Sequence, residues 1–342
     1  MRPLLAFLIM ILVGCASESP EKTEQSLEVN VYSHRHYDSD KALFKTFTAK
    51  TGITVRVVQA GDDELMARLE AEGSRSPCDV LITADAGRLG LATTRGLLQP
   101  VKSSALEADI PSWLRDPEGH WFALTMRARV LAYRKDRVDP ATLRTWDDLT
   151  APQWKGKILV RSSENVYNQS LVAAMIAHDG PEKAQAWASG IVANMARAPK
   201  GGDTDQLLAL AEGIGDVAIA NTYYIGKLMN STDPAHQAAR EHIAVTFPTM
   251  GTHGVHVNVS GAGVARHAPH REAAIALLEF LSENEAQALF SEGNYEYPVK
   301  PGVAWSTTLL GFGTFVPDTL DMATLGRNNA AAIKVFEASG WR

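Results

Sequence analysis

Hydrophobic positions along this chain switch repeatedly between a period of two and a period near 3.6, and polar or glycine-rich clusters mark the switches. Leu27 to Ser33 alternates and ends in a polar cluster, which predicts a first strand. Asp38 stands where a helix would begin; Leu43, Phe44 and Phe47 share one face of it, and Thr51-Gly52 stops it. Ile53 to Val58 is β-branched and reads as a second strand. Asp62 or Asp63 opens a second helix with Leu65, Met66 and Leu69 inward, and Gly73 to Pro77 turns. Asp79 to Thr83 makes a third strand, and Ala84-Asp85 begins a helix carrying Leu89 and Leu91 as far as Gly96. This β-α-β-α-β-α order implies a parallel sheet with helices on both faces.

Leu98 to Pro117 shows no long period, and Trp121 to Tyr133 is strand-rich. A second α/β block follows. It has a strand at Ile158 to Val160 and helical patterns at Ser170 to Ala177, at Pro181 to Ile191 and around Leu207, Leu208 and Leu210. Val217, Ala218 and Ile219 form a short apolar strand, Asn221 and Thr222 are good N-cap residues, and Ile225, Leu228 and Met229 fall at helical spacing. Ile243 to Phe247 is one more strand. Thr249 to Gly263, rich in Gly and His, is expected to cross back to the first block, with His253 and His256 in a hinge or on the surface. Arg271 to Ser291 reads as one amphipathic helix, Tyr295 and Tyr297 as residues packed under the first lobe, and a short helix ends the chain near Ala330 to Phe336. Two α/β blocks with a return to the first predict a two-lobed clamshell. Lobe one takes residues 27–126 and 250–305; lobe two takes 127–249 and 306–342. The cleft is expected between the strand ends of both lobes.

Composition narrows the class. With 342 residues, 45% hydrophobic and 21% charged, the chain has enough material for two cores. A formal net charge of −6 and the lack of an Arg-rich block exclude a nucleic-acid partner. At the N-terminus, Arg2 precedes a nearly unbroken apolar run from Leu4 to Val13, too short to span a bilayer comfortably. Residues 1–14 therefore read as a signal peptide. Leu12-Val13-Gly14-Cys15 resembles a bacterial lipobox, which implies lipidation of Cys15; a plain signal peptide with an incidental cysteine is the alternative. Residues 15–26 read as a flexible tether that holds a soluble, monomeric domain at the membrane, outside the cytoplasm. Cys78 is the only other cysteine, so an intramolecular disulfide and a Cys-based zinc or iron–sulfur site are both excluded if Cys15 is lipidated. A buried, inert thiol is its expected state.

Three strand-to-helix junctions share one pattern. Ser33-His34-Arg35-His36-Tyr37 precedes the Asp38 helix, Val166-Tyr167-Asn168-Gln169-Ser170 lies after the Ile158 strand, and Asn221-Thr222-Tyr223-Tyr224 follows the Val217 strand. If both lobes have the expected topology, His36, Tyr37, Tyr167, Tyr223 and Tyr224 face one cleft. The ordinary alternative has each phenol packed on the core and bonded to a carbonyl. Four phenols and an imidazole are a poor set for Mg²⁺ or Ca²⁺, and Zn²⁺ or Cu²⁺ would favour His or Cys. Phenolates suit a small trivalent cation, and Fe³⁺ is the biological candidate. Such an ion strongly favours the ionised phenol, whose ordinary pKa is about 10. Four phenolates around Fe³⁺ leave one net negative charge, which Arg35, Arg127, Arg161 or Lys227 is placed to relieve.

The stretches that carry these residues resemble a known family. Arg35-His36-Tyr37-Asp38, Asn165-Val166-Tyr167-Asn168-Gln169-Ser170 and Ala220-Asn221-Thr222-Tyr223-Tyr224 are the most specific; Val31 to Ser33, Asp79 to Arg88, Gly215 to Tyr224, Val257 to Val264 and Gly293 to Pro298 extend the likeness. Together they resemble the periplasmic ferric-iron-binding proteins of ABC importers, in particular the FutA-like branch of cyanobacteria. The resemblance implies a type II periplasmic-binding-protein fold, each lobe a sheet flanked by helices. It implies metal ligation by His36 and Tyr37 from the first lobe and by Tyr167, Tyr223 and Tyr224 from the second. Arg127 matches a basic residue near the metal, whereas Lys227 stands where relatives commonly carry Arg. Some relatives hold iron together with an external anion such as carbonate; with five protein ligands, this chain is expected to need none, or one water. The implied partners are a permease and its ATPase subunits in the inner membrane, and the implied cargo is Fe³⁺, with Fe²⁺ as the other oxidation state.

Two other functions compete. One keeps the fold and binds an organic anion or polyamine through Arg127 and the aromatics. The other is an extracytoplasmic metalloenzyme. It is disfavoured because the chain has neither a Gly-x-Ser-x-Gly elbow nor a His-Glu-x-x-His motif. Asp147-Asp148 reads as a helix cap rather than an acid–base pair.

Overall fold

Thirteen consecutive buried residues, Phe122–Arg134, form a single strand on which the rest of the sheet is assembled. The computed structural model describes residues 27–342, so the signal-like run, Cys15 and the tether lie outside the described residues. In chain order the first elements are β1 (Glu28–Ser33), α1 (Asp38–Thr51), β2 (Thr54–Gln59), α2 (Asp62–Glu72), β3 (Val80–Thr83), α3 (Ala86–Thr94), α4 (Ser104–Asp109) and β4 (Phe122–Arg134). Then come β5 (Ile158–Leu159), α5 (Val166–Asp179), α6 (Pro181–Asn194), α7 (Asp203–Ala211), β6 (Val217–Asn221), α8 (Thr222–Met229), α9 (Pro234–Arg240) and β7 (Ile243–Thr246). The chain closes with β8 (Val257–Val264), α10 (Arg271–Ser282), α11 (Asn284–Asn294), β9 (Tyr297–Pro298), α12 (Thr307–Gly311), α13 (Ala323–Arg327) and α14 (Asn329–Ser339).

The strands run in the order β2-β1-β3-β8-β4-β6-β5, with β7 and β9 also on β4. The first half of β4 pairs with β8 and β9, the second half with β6 and β7. One strand thus belongs to both lobes of the α/β fold. β1 lies parallel to β2 and β3, as the β-α-β order requires, but β8 joins β3 antiparallel, so the first sheet is mixed rather than all-parallel. β8 lies inside the stretch expected to be a crossover. Gly261 and Gly263 hide it from a period-based reading, and close packing explains them: a Cβ on Gly261 would lie 2.7 Å from the Phe122 carbonyl oxygen, and one on Gly263 2.4 Å from that of His120.

Local chemistry sets most boundaries. Gly52, at φ 75°, ends α1 in the left-handed conformation, and its N–H bonds the Thr48 carbonyl. Asp85 caps α3 through the Gly87 N–H, and Asn165 caps α5 through the Tyr167 N–H, four residues earlier than the apolar pattern indicated. Ser103 caps α4, a helix too short to leave a period. The expected Arg271 to Ser291 helix is two helices, because Glu283 turns extended (φ −65°, ψ 154°) between them. Cys78 is fully buried, its thiol pushed up by burial, in keeping with an inert side chain. Tyr297 is buried against Trp305 and Phe315. Tyr295 departs from expectation. It holds a left-handed backbone (φ 57°) and packs onto Gly226 of α8, where no larger residue fits: an added Cβ would come within 2.5 Å of the Tyr295 Cβ. No helix among the described residues is long and apolar enough to cross a membrane.

Candidate metal centre

All three junction motifs end up on one cleft, each for a local reason. β1 delivers Arg35, His36 and Tyr37 to the start of α1, where Tyr37 is the N-cap residue. Tyr167 is the second residue of α5, and Tyr223 and Tyr224 are the second and third of α8. Helix N-termini carry partial positive charge, so each junction favours an anionic side chain. Asn221 sits at the N-cap of α8 but does not cap it. Its side-chain oxygen accepts instead from Arg129 at 3.1 Å.

The phenols gather. The Tyr223 hydroxyl donates to the Tyr167 hydroxyl at 3.1 Å. The Tyr223 and Tyr224 rings are 4.3 Å apart, and Tyr37 meets Tyr223 edge-on at 6.4 Å. Residues from both lobes are therefore in contact across the cleft. A second cross-link reinforces this: the Ser170 hydroxyl of α5 donates to Asp85 Oδ2 at 2.8 Å, and Asn258 donates to the same oxygen at 2.6 Å. His36 lies 5.2 Å from Tyr37, ring to ring, but is exposed, with Nδ1 3.4 Å from the His34 carbonyl oxygen. It stands at the rim while the phenols lie deeper.

Burial holds Tyr37, Tyr167 and Tyr223 in the neutral form. Desolvation, then the Glu296 charge, pushes Tyr37 up to about 12. Tyr167 and Tyr223 are raised further, by desolvation first and neighbouring phenols second. Ionising them takes a strong cation in the cleft.

Four basic groups border the cluster, and their partners differ. Arg35 is fully buried, paired with Asp40 at 2.9 Å and Glu296 at 2.8 Å, with its guanidinium 4.8 Å from the Tyr37 ring centre. Arg161 pairs with Asp203 at 3.3 Å and lies 5.5 Å from the Tyr167 ring. Lys227 holds its ammonium 4.0 Å from the Tyr37 ring and 5.4 Å from that of Tyr223. Burial lowers its pKa. Arg127 is 5.5 Å from the Tyr167 ring and donates to the Ala84 carbonyl and to Ser260 Oγ. It makes no ion pair among the described residues.

Several contributors were not visible in the sequence. Glu296 is fully buried beside Arg35; burial alone would raise its pKa, but Arg35 and then Arg127 hold it below the ordinary value. Arg129, Asp203, Asn168 and Asn221 form a buried network: Arg129 donates to Asp203 at 2.6 Å and to Asn168 at 2.7 Å, and Asp203 also accepts from the Asn221 N–H at 2.9 Å. That network ties the end of β6, from which α8 with Tyr223 and Tyr224 begins, to the start of α5 with Tyr167. His256, expected in a hinge or on the surface, is buried, which rules out the surface. Desolvation, then the Arg129 and Arg127 charges, lowers it to about 3, so it is neutral. It lines a small polar recess with Arg127, Arg129, Tyr167, Asn221 and Asn258. Its only sequence signal was its place in a Gly/His-rich stretch.

Known proteins are similar to this chain over most of its length. Iron uptake protein A2 of a Synechocystis species is 48% identical over 320 residues, spanning 93% of this chain and 91% of that protein. The major ferric iron-binding protein of Neisseria meningitidis serogroup B is 26% identical over 326 residues, 92% of this chain and 93% of that one. A Trichodesmium FutA (IdiA) structure in complex with iron and citrate superposes with a TM-score of 0.89 at 47% identity, covering 92% of this chain and all of that one. Residues 42–309 match the family described as bacterial extracellular solute-binding protein. The chain belongs to that family, among its two-lobed iron-binding members.

Proposed function

We infer that this protein captures ferric iron in the interlobe cleft and delivers it to the permease and ATPase of an ABC importer. One observation carries the reading: four phenols from both lobes converge on one cleft beside Arg127, a buried guanidinium that makes no direct ion pair among the described residues. Tyr37, Tyr167, Tyr223 and Tyr224 are the proposed anionic ligands and His36 the neutral one at the rim. Arg127, Lys227 and Arg35 offset the excess negative charge of the phenolates. Closure is a population shift driven by ligands that reach the ion from two sides. Fe³⁺ suits phenolate better than Fe²⁺, so reduction or protonation weakens the bond and favours release.

Arg127 also gives an external anion a place. Water, carbonate or a carboxylate such as citrate beside Arg127 would complete the metal's shell. A free polyamine fits poorly, because Tyr37, Tyr167 and Tyr223 are neutral without a metal and four basic side chains border them. An organic anion without iron would leave the phenols unused. In this reading the protein is a carrier and not an enzyme. We assign residues 27–126 and 250–305 to one lobe and 127–249 and 306–342 to the other. The packing of α14 on α5 and α6, and of α12 on α8, supports placing those two helices with the second, while α13 between them packs on α3 of the first as well as on α5. Cys15 is the proposed lipid attachment, which holds a monomer at the outer face of the cytoplasmic membrane.

Adding ferric citrate to the purified protein tests the reading. An orange-red phenolate-to-iron absorption band is expected, lost or strongly shifted in Tyr223→Phe and Tyr224→Phe. No band in the parent, with Tyr224→Phe indistinguishable from it, would end the proposal.

A further inference from the structure

We propose a second metal site, made by His178, His253 and Asp318, that takes a divalent transition-metal ion of the zinc type. The three residues come from separate stretches of chain: the end of α5, the loop before β8, and the segment that follows α12. Their ligand atoms all lie within 4.8 Å of one another. His178 Nε2 is 2.6 Å from Asp318 Oδ2, and the His178 and His253 rings stack at 3.8 Å with 17° between their planes.

A plain His–Asp hydrogen bond accounts for only two of the three groups. It leaves unexplained a second imidazole laid against the first, which would repel it if both were protonated. Two imidazoles and one carboxylate are a familiar ligand set for Zn²⁺, with water in the fourth position. The set is too poor in oxygen for Ca²⁺ or Mg²⁺ and, lacking phenols, differs in kind from the iron cluster. In a tetrahedral site, ligands about 2.1 Å from zinc lie roughly 3.4 Å apart, so the His178–Asp318 pair, at 2.6 Å, has to open and any pair near the 4.8 Å limit has to close. The ion would replace the proton shared by His178 and Asp318.

Support for the ligands is in place. Asp318 is buried, its Oδ1 accepts the Leu320 N–H at 3.1 Å, and its own N–H bonds the Val255 carbonyl at 2.8 Å. Such outer bonds orient metal ligands. His178 is largely buried, so two ligands are fixed. His253 is exposed and free to turn its ring out of the stack toward the ion. His178 and Tyr167 share α5, eleven residues or about 16 Å apart along the axis. An ion here would staple the far end of the helix that presents Tyr167 to the loop leading into β8.

The test is calorimetric titration of ZnCl₂ into the chelator-stripped full-length protein, with and without prior ferric citrate. One zinc equivalent is expected in both cases, with a raised melting temperature. His253→Ala, a change at an exposed position, should weaken zinc binding by at least about tenfold and Asp318→Asn by more. Co²⁺ in place of zinc should give the visible absorption of a tetrahedral His/carboxylate site. The iron band should survive in His253→Ala, which separates this site from the iron cluster. No zinc uptake by the parent, or equal uptake by parent and His253→Ala, would overturn the proposal.

Discussion

The two walls of the cleft are built differently. The wall formed by α5 and α8 presents three tyrosines near helix N-termini, held from behind by the buried Arg129–Asp203–Asn168–Asn221 network. The wall formed by β1 and α1 presents one half-buried tyrosine and one exposed histidine on a short loop, and its strongest support is Arg35 between Asp40 and Glu296. The first is a pre-organised half-site; the second is a lid that brings fewer and looser groups. The contrast suggests an order of events in which iron meets the three second-lobe phenols first and Tyr37 and His36 close over it afterwards.

The largest effect that probes this contrast is on pH. Without metal, Tyr37, Tyr167 and Tyr223 are all protonated at neutral pH, since their values are raised to about 12 or beyond. As the proposed ligands of iron they would bind ionised, so each would release a proton on binding and affinity would fall as pH falls. These three alone predict a loss of at least about a thousandfold per pH unit in iron affinity, measured by citrate competition corrected for citrate's own titration. Tyr37→Phe should lower that slope by about one proton and leave the second-lobe share intact. An unchanged slope would mean that Tyr37 stays neutral over the metal.

A stability effect comes next. Asp203 is the only acid paired with Arg129 among the described residues, and both are buried. Asp203→Asn should cost about 3–5 kcal/mol in urea unfolding, the range for stranding a buried charge. Asp40→Asn should cost less, because Arg35 keeps Glu296. Equal losses would remove the distinction between a braced wall and a lid.

The smallest effect concerns the rim. His36→Ala should weaken iron by about tenfold in equilibrium competition, as for a supporting group that water replaces. A loss as deep as that of Tyr223→Phe would make His36 a core ligand and the lid as important as the base.

Much of the site was legible in the sequence because its logic is local. A strand, a polar turn and a helix start place Tyr37, Tyr167 and Tyr223–Tyr224 within a few residues of signals that any reader of the chain can see. The supporting charges were not legible. Arg129 finds Asp203 from 74 residues away, and Arg35 finds Glu296 from 261, so no spacing rule reaches them. β8 was missed because glycines replace the apolar side chains that mark a buried strand, and the break at Glu283 because the apolar stripe runs straight through it. Sequence alone puts His256 in a hinge or on the surface, because scattered histidines beside glycine read as loop; the recess it shares with Arg127 and Arg129 exists only in the folded chain.

β4 adds a mechanical constraint. Its pairing is nearly unbroken from one sheet into the other, with a single irregularity between Ala123 and Thr125. Sliding the strand by one position would turn every inward side chain outward, so the sheets cannot shear past each other. They can only wring about a shared spine. Arg127 and Arg129 sit near the middle of that spine, where angular motion displaces atoms least. The positive floor of the cleft should therefore stay almost still while the rims swing, and a transporter gripping the rims would apply torque to the lid without disturbing the charges beneath the ion.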